Sequence, residues 1–180
     1  MLALLPLLIA TASTPCDGAR FAAGNAVLLP GSSWSVVVPD GWWLQSGAYP
    51  QRPELEFELP HACQGGVYAH PSLQVARIEG IDFADVGPAS GEAVREAPVR
   101  TTIAGHPAVE YASTGTLIAH SLDGRGSLRP LYYRVVVVRL GDELFECRLT
   151  QDALVNDHVA APRGLCATLA VRADAKAYER

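Results

Sequence analysis

Five histidines, four cysteines and one strongly acidic stretch are the residues of this chain that could do chemistry. His61, His70, His106, His120 and His158 are scattered, and none stands in an H-E-x-x-H pattern or a close pair that one helix face could turn toward a metal. His61, Cys63 and His70 could be drawn as a ligand cluster, but an oxidised Cys63 cannot ligate, so no metal is expected. A nucleophilic serine needs a base within hydrogen-bond reach and an oxyanion hole. No G-x-S-x-G occurs, and "GPASGEA" has the wrong spacing, which leaves Ser90 as a loop or helix-cap residue. His120 and Ser121 are adjacent only in sequence, which says nothing of side-chain geometry. There is no P-loop and no G-x-G-x-x-G. The expectation is a protein with no catalytic residues and no cofactor.

Binding chemistry is better represented. In "PELEFELP", Glu54, Glu56 and Glu58 alternate with Leu55, Phe57 and Leu59, the period of two of a half-buried strand. Three carboxylates on one strand face would suit a basic protein partner or a hard cation. The plainer reading is a solvated face that blunts edge pairing, and no D-x-D-x-D-G loop favours calcium. Arg125 and Arg129 sit in the Gly-bearing stretch "SLDGRGSLRP", read as a long loop of the kind that carries recognition. The three tryptophans cluster in "SSWSVVVPDGWW". Alternation places Trp34, Val36 and Val38 on one face, and after the Pro39-Asp40-Gly41 turn the adjacent Trp42 and Trp43 must point to opposite sides. One of that pair packs on the core and the other remains for a contact surface.

The compartment follows from the first residues and the cysteines. "MLALLPLLIATAS" is an apolar run of about ten residues closed by small ones, and Ala10-Thr11-Ala12 fits signal-peptidase cleavage after Ala12, although no Lys or Arg follows Met1. The run is too short to span a bilayer core of about 30 Å. Cys16 follows Pro15 where a lipobox needs a small residue. Cys16, Cys63, Cys147 and Cys166 are an even set with no C-x-x-C, which reads as structural disulfides in an oxidising space. The formal charge is −5 with no basic run, which excludes nucleic acid as a natural partner. The expected location is periplasmic or secreted, with no stable membrane insertion after cleavage.

These residues need elements to place them. Residues 13–24 read as a loose leader and 25–180 as one domain. "AVLLP", "WSVVVP", "PELEFELP" and "LQVARIE" read as strands, with at most a short helix near Gly91 to Arg95 in the stretch that follows. "VRTTIAGHPAVEYAST" reads as two strands about a Gly105-His106 turn. "LYYRVVVVRL-GD-ELFECRL" reads as a hairpin with a II′ turn at Gly141-Asp142. Counting outward pairs Val138 with Phe145 and Val136 with Cys147 on a core face. Arg139 with Leu144, Val137 with Glu146 and Val135 with Arg148 form a mixed, partly wet face. A last helix is expected with Asn156 or Asp157 capping an early turn and Pro162 in the first turn before Leu165, Cys166 and Leu169. Packed on the hairpin, it brings Cys166 over Cys147; by elimination Cys16 pairs with Cys63. The order of elements predicts an α+β domain, a mostly antiparallel sheet with helices packed on it.

"WSVVVPDGWW", "IAGHPAVEY", the late hairpin and the closing helix together resemble the PsbP-like fold, whose bacterial members include the DcrB-like proteins. The marks are the P-x-G-W turn Pro39-Asp40-Gly41-Trp42 and the G-x-P-A turn Gly105-His106-Pro107-Ala108. The resemblance covers roughly residues 25 to 172 and implies a PsbP-like sandwich and a non-enzymatic module that binds another protein. Some relatives serve type VI secretion, so a periplasmic inhibitor or immunity-type protein of a secretion-system toxin is the narrower implication. The alternative is a small secreted hydrolase or ligand carrier.

Overall fold

The structure, a computed structural model, describes residues 19–21, 23–45, 54–59, 71–120, 126–151 and 158–176. Their elements are β1 (Ala19–Phe21), β2 (Ala26–Leu28), β3 (Ser35–Val37), β4 (Trp43–Gln45), β5 (Leu55–Glu58) and β6 (Ser72–Ile78). A 3₁₀ turn (Phe83–Asp85) precedes β7 (Ala93–Ile103), β8 (His106–His120), β9 (Gly126–Leu140), β10 (Glu143–Gln151) and α1 (Ala161–Ala167). Eight strands form one antiparallel sheet in the order β1-β4-β5-β6-β10-β9-β8-β7, and β2 with β3 forms a separate hairpin. No helix among the described residues is long and apolar enough to cross a membrane.

The expected α+β architecture, a PsbP-like sandwich with helices on a sheet, is corrected by this arrangement. The fold is β-rich, and α1, seven residues long, is the one α-helix among the described residues. Two physical reasons account for the difference. The residues near Gly91 to Arg95 enter β7 instead of a helix, because β8 lies alongside to take their backbone hydrogen bonds. The final helix starts with Pro162 in its first turn but stops at Thr168, whose hydroxyl donates to the Leu165 carbonyl at 2.8 Å. Beyond it Ala170 exchanges backbone hydrogen bonds with Ser35 at 2.8 and 3.0 Å, so the chain trades helix for a bridge to β3. Leu169 is thus outside the helix though still buried.

Other boundaries also move. Ala19–Phe21, inside the stretch read as a loose leader, is β1. Residues 126–130, read as loop, pair with β8 as the start of β9. The β7–β8 turn is Ala104-Gly105, with φ of 49° and 83°, and His106 is already in register with Ile103. Two positive φ angles in a two-residue loop define a I′ turn. The cleavage site, Asn156, Asp157 and the Cys16–Cys63 pairing lie outside the described residues.

The late hairpin forms in the expected register, Val138 with Phe145, Val136 with Cys147 and Val135 with Arg148. Gly141 has φ of 61° while Asp142 stays negative, as a II′ turn requires. One sheet face is covered by β2, β3 and α1, where Phe57, Phe145, Val136, Val138 and Leu165 form the larger core. Cys166 reaches Cys147 from α1 and is bonded to it, Cα to Cα 5.9 Å, as the hairpin face implied. On the opposite face Val86 and Phe83 lie over Val109, Val135, Val137 and Leu144 in a smaller cluster. Above Thr114 and Tyr132 the β8–β9 pair continues to His120 and Gly126, past the last pairs made by β7 and β10 among the described residues.

Two outcomes follow. Ala104 holds an αL backbone that costs an alanine about 1 kcal/mol, so Ala104→Asn should raise the melting temperature by about 2–4 °C in a thermal scan. Cys147 and Cys166 are 19 residues apart, so the Cys147→Ala/Cys166→Ala double variant should lose about 3 kcal/mol in denaturant titrations. Non-reducing peptide mapping should link the same two cysteines.

Candidate protein-binding face

The smaller core covers only part of the second sheet face, and a polar network begins where it ends. Along β10 that face carries Leu144, Glu146, Arg148 and Thr150 in turn, because side chains of one strand alternate between faces. Arg148 lies in register with Gln74 of β6 and Val135 of β9; Gln74 faces Glu56 of β5, and Val135 faces Tyr111 of β8. Cross-strand register therefore draws residues from five strands into one row.

Arg148 is the hub. Its Nε donates to Glu146 Oε1 at 2.8 Å and its Nη1 to Glu92 Oε1 at 3.3 Å. The other Glu92 oxygen accepts the Ser113 hydroxyl at 2.6 Å. The guanidinium lies 5.0 Å from the centroid of Tyr133, and Tyr133 in turn lies so close to Gly115 that a Cβ there would meet its ring at 2.9 Å. A side chain at 115 would have to displace that ring. Glu92 reaches the hub through a turn: its N–H donates to Ala89 at 3.0 Å, with Gly91 at φ of 92° in the penultimate position and Ser90 exposed beside it. At the other end of the row Gln74 Nε2 donates to Glu56 Oε1 at 3.3 Å.

The charges are partly desolvated, the Glu92, Glu146 and Arg148 side chains being 12, 21 and 22% exposed. Burial works against the Arg148 charge, but Glu146 and Glu92 outweigh it and raise its pKa. Burial, with the Glu146 carboxylate behind it, pushes the Tyr111 hydroxyl up to about 12. The row itself carries three carboxylates, Glu56, Glu92 and Glu146, against the one guanidinium of Arg148, so the row is acidic on balance, while Arg100 and Arg139 stand farther along the same face beside Phe83. Half-buried Trp43 and Tyr133 add aromatic surface to it.

The residues singled out from sequence fall in different places. Leu55, Phe57 and Leu59 are buried and Glu54 and Glu56 half-buried on the reverse of β5. Glu58 pairs through its backbone with Trp43 and Ser72. β5 lies between β4 and β6, so its carboxylates do not guard an edge. Trp42 is the core-packed indole, 4% exposed and edge-on to His158 at 5.5 Å, where Gly41 turns the chain with φ of 78°. Trp34 packs edge-on to Phe145 at 5.8 Å and donates its indole N–H to Glu143 at 2.6 Å. Arg129 sits in β9 opposite Leu117, away from this row; Arg125, His61, Cys63 and His70 lie outside the described residues. Sequence reasoning put Glu146 and Arg148 on one mixed face but missed Glu92, Ser113, Tyr111 and Tyr133. The Gly91 turn was the signal for Glu92.

Because Tyr111 ionises near pH 10 when unfolded and near 12 when folded, the unfolded chain loses its proton first and stability falls as pH rises from 10 to 12. Tyr111→Phe should flatten that fall, compared by denaturant titrations at pH 9 and 11.

No protein-family model and no curated protein matches the sequence. Among solved structures, a crystal structure from Bacteroides thetaiotaomicron VPI-5482 is similar at a TM-score of 0.47 and 16% identity, over 83% of this chain and 48% of that one. The chain thus spans about half the length of that neighbour.

Proposed function

We propose that the protein is an exported module that acts by binding a basic protein partner on the acidic row around Arg148, on the second face of its sheet, not by catalysis. The observation that carries this reading is the row Glu56, Gln74, Arg148 and Glu146 with Glu92. It presents an excess of carboxylate beside half-buried Trp43 and Tyr133 on rigid strands. Aromatic anchors set among oriented charges are the composition of an interface, and an acidic patch selects and steers a cationic partner. The Cys147–Cys166 disulfide supports the export half, since such bonds persist in the periplasm or outside the cell and are rare in the cytosol. The narrower inhibitor or immunity-type reading rests on the PsbP-like resemblance alone.

The test is capture on immobilised protein from a periplasmic extract of the native host. The partner should carry a basic surface, elute as salt rises, and be lost from the Glu54→Lys/Glu56→Lys variant at unchanged melting temperature. Retention of the partner by that folded variant would remove the acidic face from the account.

A further inference from the structure

A second site lies beyond the end of the larger apolar core, where β7, β8 and β9 run on. A cavity of about 360 Å³ lies there, lined among others by Arg95, Glu96, Tyr132, Arg134, Gln151 and Val159. A neighbouring depression of about 310 Å³ shares Glu96 and Arg134 with it. The larger cavity is of the size that takes a small organic molecule.

What builds it is a break in register. Val94 pairs with Ser113 and Glu96 with Ala112, so two steps along β7 answer one along β8, and Arg95 is the extra residue. In a regular strand consecutive side chains point to opposite faces. Here the bulge turns both Arg95 and Glu96 toward one cavity, the use to which bulges beside binding sites are put. The two residues then meet different fates. Glu96 pairs with Arg134, whereas the Arg95 guanidinium lies 5.3 Å from the centroid of Tyr132 and makes no ion pair among the described residues. The contact with the ring places the guanidinium at the cavity and leaves N–H donors for a carboxylate. Val159, 45% exposed, adds apolar surface to the same lining, and Gln151, 8% exposed, is its more buried member.

We propose that this cavity binds a small carboxylic acid with a planar, apolar body, its carboxylate on Arg95 and its ring against Tyr132 and Val159. Arg95 and Tyr132 stand apart from the acidic row, although the lining also takes in Ser113 and Tyr133 of the Arg148 network; the proposal does not rest on the protein-binding reading.

Isothermal titration calorimetry with 3-phenylpropionate and its uncharged amide, 3-phenylpropionamide, tests this on the intact protein. The acid should bind saturably at sub-millimolar concentration, the amide at least tenfold more weakly, and Arg95→Gln should weaken the acid at least tenfold. The Glu54→Lys/Glu56→Lys variant should bind the acid as the wild type does. Equal binding of acid and amide, or no binding of either at millimolar concentration, overturns the proposal; so does unchanged affinity in Arg95→Gln. The comparison of acid with amide needs only wild-type protein, so it decides the matter whatever the variant's stability.

Discussion

Four consecutive valines, Val135 to Val138, are each at most 1% exposed, and the rest of the structure is arranged around that burial. Neighbours in a strand face opposite ways, so β9 must be dry on both sides, whereas an antiparallel sheet commonly leaves one side to water. Val136 and Val138 are covered by the β2–β3 hairpin and α1, held down by the disulfide. Val135 and Val137 are covered by much less chain, the stretch around Phe83 and Val86. Arg100 and Arg139 flank Phe83 at 5.3 and 5.2 Å and pin that short cover in place. It cannot extend across the whole sheet, and the polar row around Arg148 occupies the surface that it leaves. The location of the acidic face is therefore a consequence of how the second core is closed.

What was legible in the sequence were features whose cause is local. The β9–β10 register depends on Gly141-Asp142 and a period of two, both visible along one stretch, and it placed Val136 beside Cys147 and Val135 beside Arg148. Cys166 could then be assigned its partner once a helix was packed on that face. The α+β expectation failed where distant backbone decided the outcome. Residues 92–96, Glu-Ala-Val-Arg-Glu, suit a helix well enough, but pairing with β8 overrode their intrinsic preference. Glu92 was out of reach for the same reason, since its partners Ser113 and Arg148 are 21 and 56 residues away. The bulge at Arg95 is likewise a mismatch between two strands, and neither strand's own pattern contains it.

The hairpin that closes the larger core depends on the far end of the chain. Ser35 and Ala170 are 135 residues apart, the Ser35 hydroxyl also donates to the Ala170 carbonyl, and Val27 bridges to Lys176. The β8–β9–β10 meander needs only neighbours in sequence and is the part that forms early, because short loops cost the least closure entropy. The first-face cover, by contrast, completes its backbone hydrogen bonding only with Ala170 and Lys176. A chain growing from its N-terminus at about 5–20 residues per second therefore closes this cover last. Completion of the fold is deferred until residue 176 is available.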